Sequence, residues 1–163
     1  MAITKEKKEG IISKIREGLT DAQSAVFVAF RGLSVVETTE LRRKLREEGV
    51  KYTVAKKTLM RRALAEVSPK GDMPDLPGEV AIAYGTDLLA PAREVYGFQK
   101  KFKDKVSILG GVFDGSYKNQ PDMMSIATIP APEVLRGMFV NVINSPIQGF
   151  VIALDQIAQK KGE

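Results

Sequence analysis

The sequence predicts an α/β fold, with one small sheet flanked by helices and followed by C-terminal amphipathic helices. Short apolar runs rich in strand formers alternate with segments whose apolar residues recur at helical spacing. The chain has 163 residues and 44% hydrophobic content, which is enough for one sizeable core. About four strands and four helices in alternation favour helices packed around a single sheet.

The first half of the chain gives the clearer alternation. Residues 4–19 have the pattern of a basic amphipathic helix, and the apolar run at 24–30 that ends in Arg31-Gly32 is typical of a buried strand. A helix at 36–48 ends near Gly49, a residue common at helix C-termini. A strand at 50–55 and a helix at 58–67 follow, and Pro69 ends the latter.

The second half begins with a loop at 69–78 that is rich in proline and glycine. A strand at 79–84, a helix at 88–103 and a strand at 106–113 are predicted next, and the pair Gly110-Gly111 suggests a β-bulge. Two helices, 133–144 and 147–161, are predicted on either side of Ser145-Pro146. We therefore expect a basic α/β domain over 1–130, a connecting helix with a proline hinge over 131–146, and a partner-binding helix over 147–163.

The composition excludes most enzyme classes. The chain has no His and no Cys, which removes the usual zinc ligands, the Ser/His and Cys/His nucleophile systems and any disulfide. It also has neither GxxxxGK[ST] nor GxGxxG. We expect no catalytic site, no metal and no cofactor. No stretch reaches the ~20 apolar residues of a membrane span, and the N-terminus lacks the apolar centre of a signal peptide, so a cytoplasmic protein without a membrane partner is expected.

The net charge of +5 is unevenly distributed. Residues 1–70 hold 16 basic and 9 acidic side chains, a net of +7, whereas residues 71–163 hold 9 basic and 11 acidic, a net of −2. A strongly basic surface attracts polyanions such as nucleic acids. The N-terminal part is therefore the candidate for binding one.

The basic residues of this part occur at a strand end, on the second helix and at the start of the third. A helix N-terminus offers free backbone donors to phosphate, and the guanidinium fork of arginine binds phosphate bidentately. The alternative is that these are ordinary solvated helix faces, but the KKxxxRR run has no acid before Glu66. With only 11 aromatic residues, the sequence favours recognition of RNA shape and backbone over base stacking. The candidate RNA-binding residues are Lys7, Lys8, Arg31, Gly32, Arg42, Arg43, Lys56, Lys57, Thr58, Arg61 and Arg62.

The last predicted helix carries an unbroken apolar stripe. A helix of about 15 residues is marginal in water, so this stripe has to be buried against its own domain or against another protein. Separation by Pro146 and an extra apolar residue, Ile152, favour helices of a partner protein. The candidate partner-binding residues are Ile147, Phe150, Val151, Leu154, Ile157 and Ala158.

The segment VFVAFRGLSVVETTELRRKLREEGVKYTVAKKTLMRRAL resembles the N-terminal half of the bacterial large-subunit ribosomal protein family L-ten. That family has a strand ending in Arg-Gly-Leu, a helix with Leu-Arg, a Glu-Gly turn, and a strand leading into Lys-Asn-Thr-Leu and paired arginines. The resemblance continues through the Gly110-Gly111 strand and the terminal helix. It covers essentially the whole chain in order and length.

The resemblance implies a non-enzymatic scaffold of the cytoplasmic ribosome. Members bind the rRNA of the GTPase-associated centre beside the L-eleven protein, and many repress their own message. Their C-terminal helix holds dimers of the L-seven/L-twelve stalk protein, which recruits translational GTPases, and the short helix here implies two dimers. The family's Arg-Gly, Lys-Asn-Thr-Leu and arginine pair correspond to Arg31-Gly32, Lys56 with Thr58, and Arg61-Arg62, whereas Lys57 stands where asparagine is usual. Leu135, Met138 and Phe139 are assigned to the helix before the stalk-binding one.

Two other interpretations compete with this one. The chain could be another RNA-binding module, such as an assembly factor, whose last helix pairs with itself to form a dimer. It could also be a small α/β enzyme that uses carboxylates or a phosphate-binding loop. A complex with the stalk protein would exclude the first alternative, and activity lost on mutation of one carboxylate would support the second.

Overall fold

The computed structural model describes residues 5–102 and 105–161, which form six helices and five strands. In chain order these are α1 (Lys5–Thr20), β1 (Ser24–Phe30), α2 (Val35–Glu47), β2 (Lys51–Val54), α3 (Lys57–Val67), β3 (Val80–Gly85), α4 (Ala90–Lys101), β4 (Val106–Phe113), β5 (Ser116–Asn119), α5 (Gln120–Ala127) and α6 (Pro132–Lys161). The chain divides into two units, the first ending at Ile129 and the second beginning at Pro130.

The first unit is built on a five-stranded antiparallel sheet of order β2-β3-β1-β4-β5. The central strand is β1, which pairs with β3 from Ser24↔Gly85 to Ala29↔Val80 and with β4 from Ser24↔Phe113 to Phe30↔Val106. Sheet and flanking helices confirm the predicted fold class. The register between β1 and β4 shifts between Phe27 and Val28, where β4 contributes one extra residue beside Gly110, so the predicted bulge is also confirmed.

Helices cover both faces of this sheet. Successive residues of β1 point to opposite faces of the sheet and so enter two different cores. Val26 and Val28 lie in the first core, and Ala25 and Phe27 lie in the second. The first core is closed by α2, α4 and α5, and the second by α1 and α3. Because both faces of β1 are buried, its sequence is a continuous apolar run, which is why this strand could be predicted so directly.

Two elements of the first unit were not predicted. The short strand β5 forms a hairpin with β4 through Asp114-Gly115, whose φ values of 49° and 69° are those of a type I′ turn. Asp-Gly is a strong hairpin signal, so the sequence did contain the information. The eight-residue α5 follows directly on Asn119, and it places Met123 and Ala127 in the first core.

The C-terminal helix α6 differs from the prediction of two helices. It runs for 30 residues without a break, and Pro146 lies inside it. A proline inside a helix removes the hydrogen bond to the carbonyl four residues earlier, here that of Val142, and its ring crowds that carbonyl. It also fixes φ near a helical value of about −65°, and in this chain the helix continues on both sides of Pro146. The prediction of a helix break at Ser145-Pro146 was therefore wrong, and Leu135, Met138 and Phe139 belong to the same helix as Ile147 and Leu154.

Candidate nucleic-acid interface and partner-binding helix

The strand register brings several basic segments to one end of the sheet, here called the charged end. Val54 pairs with Ala81, Ala29 with Val80, and Phe30 with Val106. The end of β1, the end of β2 and the starts of β3 and β4 are consequently neighbours. Arg31, Lys56, Gly78-Glu79 and Lys105 all lie directly beyond these strand ends.

The loop after β1 is fixed in place by four hydrogen bonds. The backbone N–H of Arg31 donates to the carbonyl of Lys105 (2.8 Å). Ser34 and Glu37 form a capping box at the start of α2, in which the Ser34 N–H donates to the Glu37 carboxylate (2.7 Å) and the Glu37 N–H to the Ser34 hydroxyl (3.2 Å). Lys105 Nζ donates to the same carboxylate (2.6 Å). Gly32 adopts φ +60°, which favours glycine. The exposed Arg31 side chain therefore extends from a loop that is held by hydrogen bonds at both of its ends.

The start of α3 presents the basic run that the sequence singled out. Lys56 is the N-cap and makes no side-chain cap hydrogen bond, while Thr58, Arg61 and Arg62 are exposed. Leu59 and Ala63 are buried, and Ala63 belongs to the second core. The Lys57 ammonium donates to the carbonyl of Leu76 (3.1 Å), so this residue also ties α3 to the loop before β3.

The candidate RNA-binding residues do not form one patch. Arg42 and Arg43 lie on α2, on the face of the sheet opposite α1 and α3. Arg42 lies over the Tyr52 ring (6.0 Å to the centroid), and Arg43 approaches Glu47 (3.8 Å). On α1 the Lys8 side chain is exposed, whereas the side chain of Lys7 lies outside the described residues. Arg31, Gly32, Lys56 and Lys57 are the candidates that the charged end brings together.

Sequence reasoning missed two residues of the charged end. Lys105 follows α4 and Glu79 precedes β3, and each is a single charge without a motif around it. Only the antiparallel register places them beside Arg31 and Lys56. A signal for Lys105 was its position directly before a predicted strand.

The Glu37–Lys105 ion pair has a measurable electrostatic consequence. The hydrogen bond from Lys105, followed by that from the Ser34 backbone, lowers the pKa of Glu37 from 4.5 to about 2. A carboxylate with a depressed folded-state pKa contributes stability that is present above pH 4.5 and is lost as the pH falls towards 2. The pair therefore ties the loop carrying Arg31 most firmly near neutral pH.

We predict that Glu37→Gln lowers the free energy of unfolding at pH 7. The difference in free energy of unfolding between this variant and the unaltered chain should become smaller as the pH falls from 5 to 2. Urea unfolding at a series of pH values measures this. Lys105→Met should reduce the change in the free energy of unfolding between pH 5 and pH 2, because it removes the hydrogen bond that contributes most to the lowered pKa of Glu37. A difference that stays constant down to pH 2 would contradict the ion pair.

The second candidate site is α6, whose residues are all exposed in the described structure. Thirteen large apolar side chains on this helix are each at least half exposed, among them Ile147 (64%), Phe150 (66%) and Leu154 (50%). Val140, Ile143, Ile147, Phe150, Leu154 and Ile157 follow one another at spacings of three and four, the pattern of a helix-packing seam. The apolar stripe thus continues across Pro146 into the first half of α6.

Length and composition alone would also allow α6 to cross a membrane, with a mean hydropathy of 1.4 over its most apolar 18 residues. The two shorter helices predicted on either side of Ser145-Pro146 would each be too short to span a bilayer, so this possibility arises only from the continuous helix. Asn141, Asn144 and Gln148 lie within the apolar region and are unfavourable in a bilayer. An apolar surface that binds other proteins explains the hydropathy of α6 equally well.

Comparison with known proteins decides the family. The family model described as Ribosomal protein L10 matches residues 3–100, and the one described as Ribosomal protein uL10 C-terminal region matches residues 129–163. The chain belongs to the ribosomal protein uL10 family. The large ribosomal subunit protein uL10 of Shouchella clausii is 38% identical over 97% of this chain and 95% of the relative. Those of Staphylococcus carnosus and Pelotomaculum thermopropionicum are 36% and 37% identical over 97% and 98% of this chain, and over 95% and 91% of the relatives.

Membership of the uL10 family makes this chain a non-enzymatic structural component of the large ribosomal subunit. The family predicted from the residues around Arg31-Gly32 and Arg61-Arg62 is confirmed, as is the absence of an enzymatic role. The bacterial uL10 homologues are part of the cytoplasmic ribosome, in agreement with the predicted location.

Proposed function

We propose that this chain anchors the ribosomal stalk. Its first unit binds the large-subunit rRNA of the GTPase-associated centre, beside the L-eleven protein, and its helix α6 holds dimers of the L-seven/L-twelve stalk protein. The observation that carries the proposal is the exposure of α6, because thirteen exposed large apolar side chains on one helix need a protein partner.

The RNA-binding half of the proposal rests on the charged end and on the exposed basic residues of α3. Arg31 follows β1 and Lys56 follows β2, at the same end of the sheet on either side of β3. The exposed pair Arg61-Arg62 lies one helical turn after the start of α3. The N-terminus of α3 offers backbone N–H donors, the lysines supply point charges, and the arginines supply planar forks. Together these groups are suited to bind the phosphates of a folded RNA. Because Lys57 also donates to Leu76, we assign it a structural contribution in addition to its charge.

The stalk-binding half rests on the length and pattern of α6. A helix of 30 residues is about 45 Å long, and Pro146 divides it into two nearly equal halves. The second half carries the stripe Ile147, Phe150, Val151, Leu154, Ile157 and Ala158, and the first half carries Val140 and Ile143 in the same stripe. We propose two stalk-protein dimers, one on each side of Pro146, packed as helix against helix.

The salt dependence of rRNA binding tests the proposal. If the chain neutralises five or six phosphates, the affinity for an rRNA fragment of the GTPase-associated centre should fall with salt at a log–log slope of about −4 to −5. The double variant Arg61→Ala, Arg62→Ala should reduce the slope by about two and weaken binding at least about tenfold at low salt. The measurement is a fluorescence titration at four salt concentrations.

A matched control is Arg136→Ala, which removes an arginine from α6. This variant should bind the rRNA fragment with the slope of the unaltered chain. Added stalk protein should enlarge the RNA complex without changing the slope, because the two surfaces belong to different units of the chain. The proposed RNA surface would be overturned by an affinity that does not change with salt. It would also be overturned if Arg136→Ala lowered the affinity and the salt slope as much as the double variant of Arg61 and Arg62 does.

A further inference from the structure

A groove with mixed chemistry crosses the charged end of the sheet. It consists of two adjoining depressions of about 380 Å³ and 310 Å³, which share Phe30, Gly78 and Glu79 as lining residues. Lys56 and Lys57 line the first depression, and Arg31 and Lys105 line the second. Each volume is within the range of ~300–1,000 Å³ that is usual for small-ligand sites.

The chemistry of the groove differs from that of a surface that binds phosphate alone. Its walls include apolar side chains, of which Val54 is 48% exposed, and the acid Glu79 lies where the two depressions meet. Among the described residues Glu79 makes no salt bridge, although Arg31 and Lys105 line the same depression. The Glu79 carboxylate weakens the attraction of the surrounding cations for phosphate, but it is a good acceptor for the amino group of a nucleobase.

The walls of the groove are connected to one another by hydrogen bonds. Lys57 Nζ donates to the Leu76 carbonyl (3.1 Å), and the Phe30 N–H donates to the Glu79 carbonyl (3.3 Å). Gly78 has φ +70°, and a Cβ built on it would lie 3.8 Å from Arg31 Nη2, so the guanidinium passes close over this glycine. The groove is therefore largely formed before any ligand binds, which lowers the entropic cost of binding.

We propose that this groove binds a single unstacked nucleotide of the rRNA. The base lies on the apolar wall, Glu79 accepts a hydrogen bond from its exocyclic amino group, and the adjoining phosphates contact Arg31 and Lys56. Sequence-specific recognition of RNA usually takes unpaired bases of loops and bulges in this way. The ligand is then cytosine, adenine or guanine, since uracil has no exocyclic amino group. This inference rests on the proposed RNA-binding function and adds a base-reading contact to it.

The sign of one substitution tests the proposal. If the chain contacts only phosphates, removal of the Glu79 charge removes a repulsion and should tighten binding of the rRNA fragment. If Glu79 accepts from a base, Glu79→Ala should weaken binding about fivefold or more, and Glu79→Gln should weaken it less because the amide keeps an acceptor oxygen. The salt slope should not become shallower in either variant, because no phosphate contact is lost.

The matched control is Glu17→Gln, which removes the same charge from an exposed position on α1. We expect this variant to bind as tightly as the unaltered chain or slightly more tightly. Binding of the rRNA fragment by Glu79→Ala that is as tight as, or tighter than, binding by the control would overturn the base-binding groove while leaving the RNA-binding function intact. Failure of the unaltered chain to bind the rRNA fragment would instead overturn that function and this inference with it.

Chemical probing of the bound fragment gives a second, independent readout. A reagent that modifies the pairing edges of unpaired bases should find one nucleotide protected by the unaltered chain and by Glu17→Gln, but reactive with Glu79→Ala. Thermal unfolding of each variant checks that it is folded. If Glu79→Ala is not folded, Glu79→Gln takes its place in the binding and probing experiments. Identical protection by all folded variants would overturn the proposal.

Discussion

Truncation of the chain after Ile129 should abolish binding of the stalk protein and leave the affinity for the rRNA fragment unchanged within about twofold. The truncation removes all of α6, and with it the thirteen exposed apolar side chains, but it keeps the sheet and both of its cores. Native mass spectrometry of mixtures with the stalk protein measures the first effect. Titration with the rRNA fragment measures the second.

A shorter truncation after Ser145 is the graded control. It leaves the first half of α6, with Val140 and Ile143, and removes the stripe from Ile147 onwards. If one dimer binds on each side of Pro146, the number of stalk-protein copies per chain should fall from four to two. An unchanged number after either truncation, or a homodimer of the chain in place of the stalk complex, would exclude the proposed role of α6.

Replacement of Gly111 by alanine should lower the free energy of unfolding by about 3 kcal/mol, and valine at this position should prevent folding under most conditions. A Cβ on Gly111 would lie 2.3 Å from the Ala25 carbonyl oxygen and 2.9 Å from Met123 Cε. The first neighbour is backbone of the central strand β1, which cannot move without disturbing its pairing with both β3 and β4. Urea denaturation followed by circular dichroism measures the change.

Gly97 provides a matched control for this substitution. It lies inside α4, and a Cβ built there would meet nothing within 4 Å. Because alanine is the better helix former, Gly97→Ala should raise the free energy of unfolding by roughly 0.5–1 kcal/mol. Equal stability of Gly111→Ala and the unaltered chain would mean that β1 and β4 are further apart than the structure has them.

The sequence predicted best the elements whose pattern has a single physical explanation. β1 is apolar throughout because both of its faces are buried. The apolar residues of α3 recur at helical spacing because only one face of that helix is buried. The Gly110 bulge followed from the glycine pair. β5 was missed because Tyr117 is the only strand-forming residue among its four, which gives a weak strand signal. The Asp114-Gly115 turn before it was the signal that could have predicted the hairpin.

Tertiary arrangement explains what the sequence could not predict about the candidate site. Arg42 and Arg61 belong to similar basic helices in the sequence, but the chain crosses the sheet between them and places them on opposite faces. Conversely, Glu79 and Lys105 are distant from Arg31 in sequence and are brought to it by antiparallel pairing. Pro146 was given too much weight, because the hydrogen bonds on either side of a proline can maintain a helix.

The uncovered surface of α6 also has a consequence for how the protein is made. A contiguous apolar surface of this length is a liability in water, because it can associate with any similar surface nearby. If the stalk protein covers α6 as proposed, newly synthesised chains should associate with one another less when the stalk protein is present. The ratio in which a cell or an expression host produces the two proteins should decide how much of this one is recovered as a well-defined species.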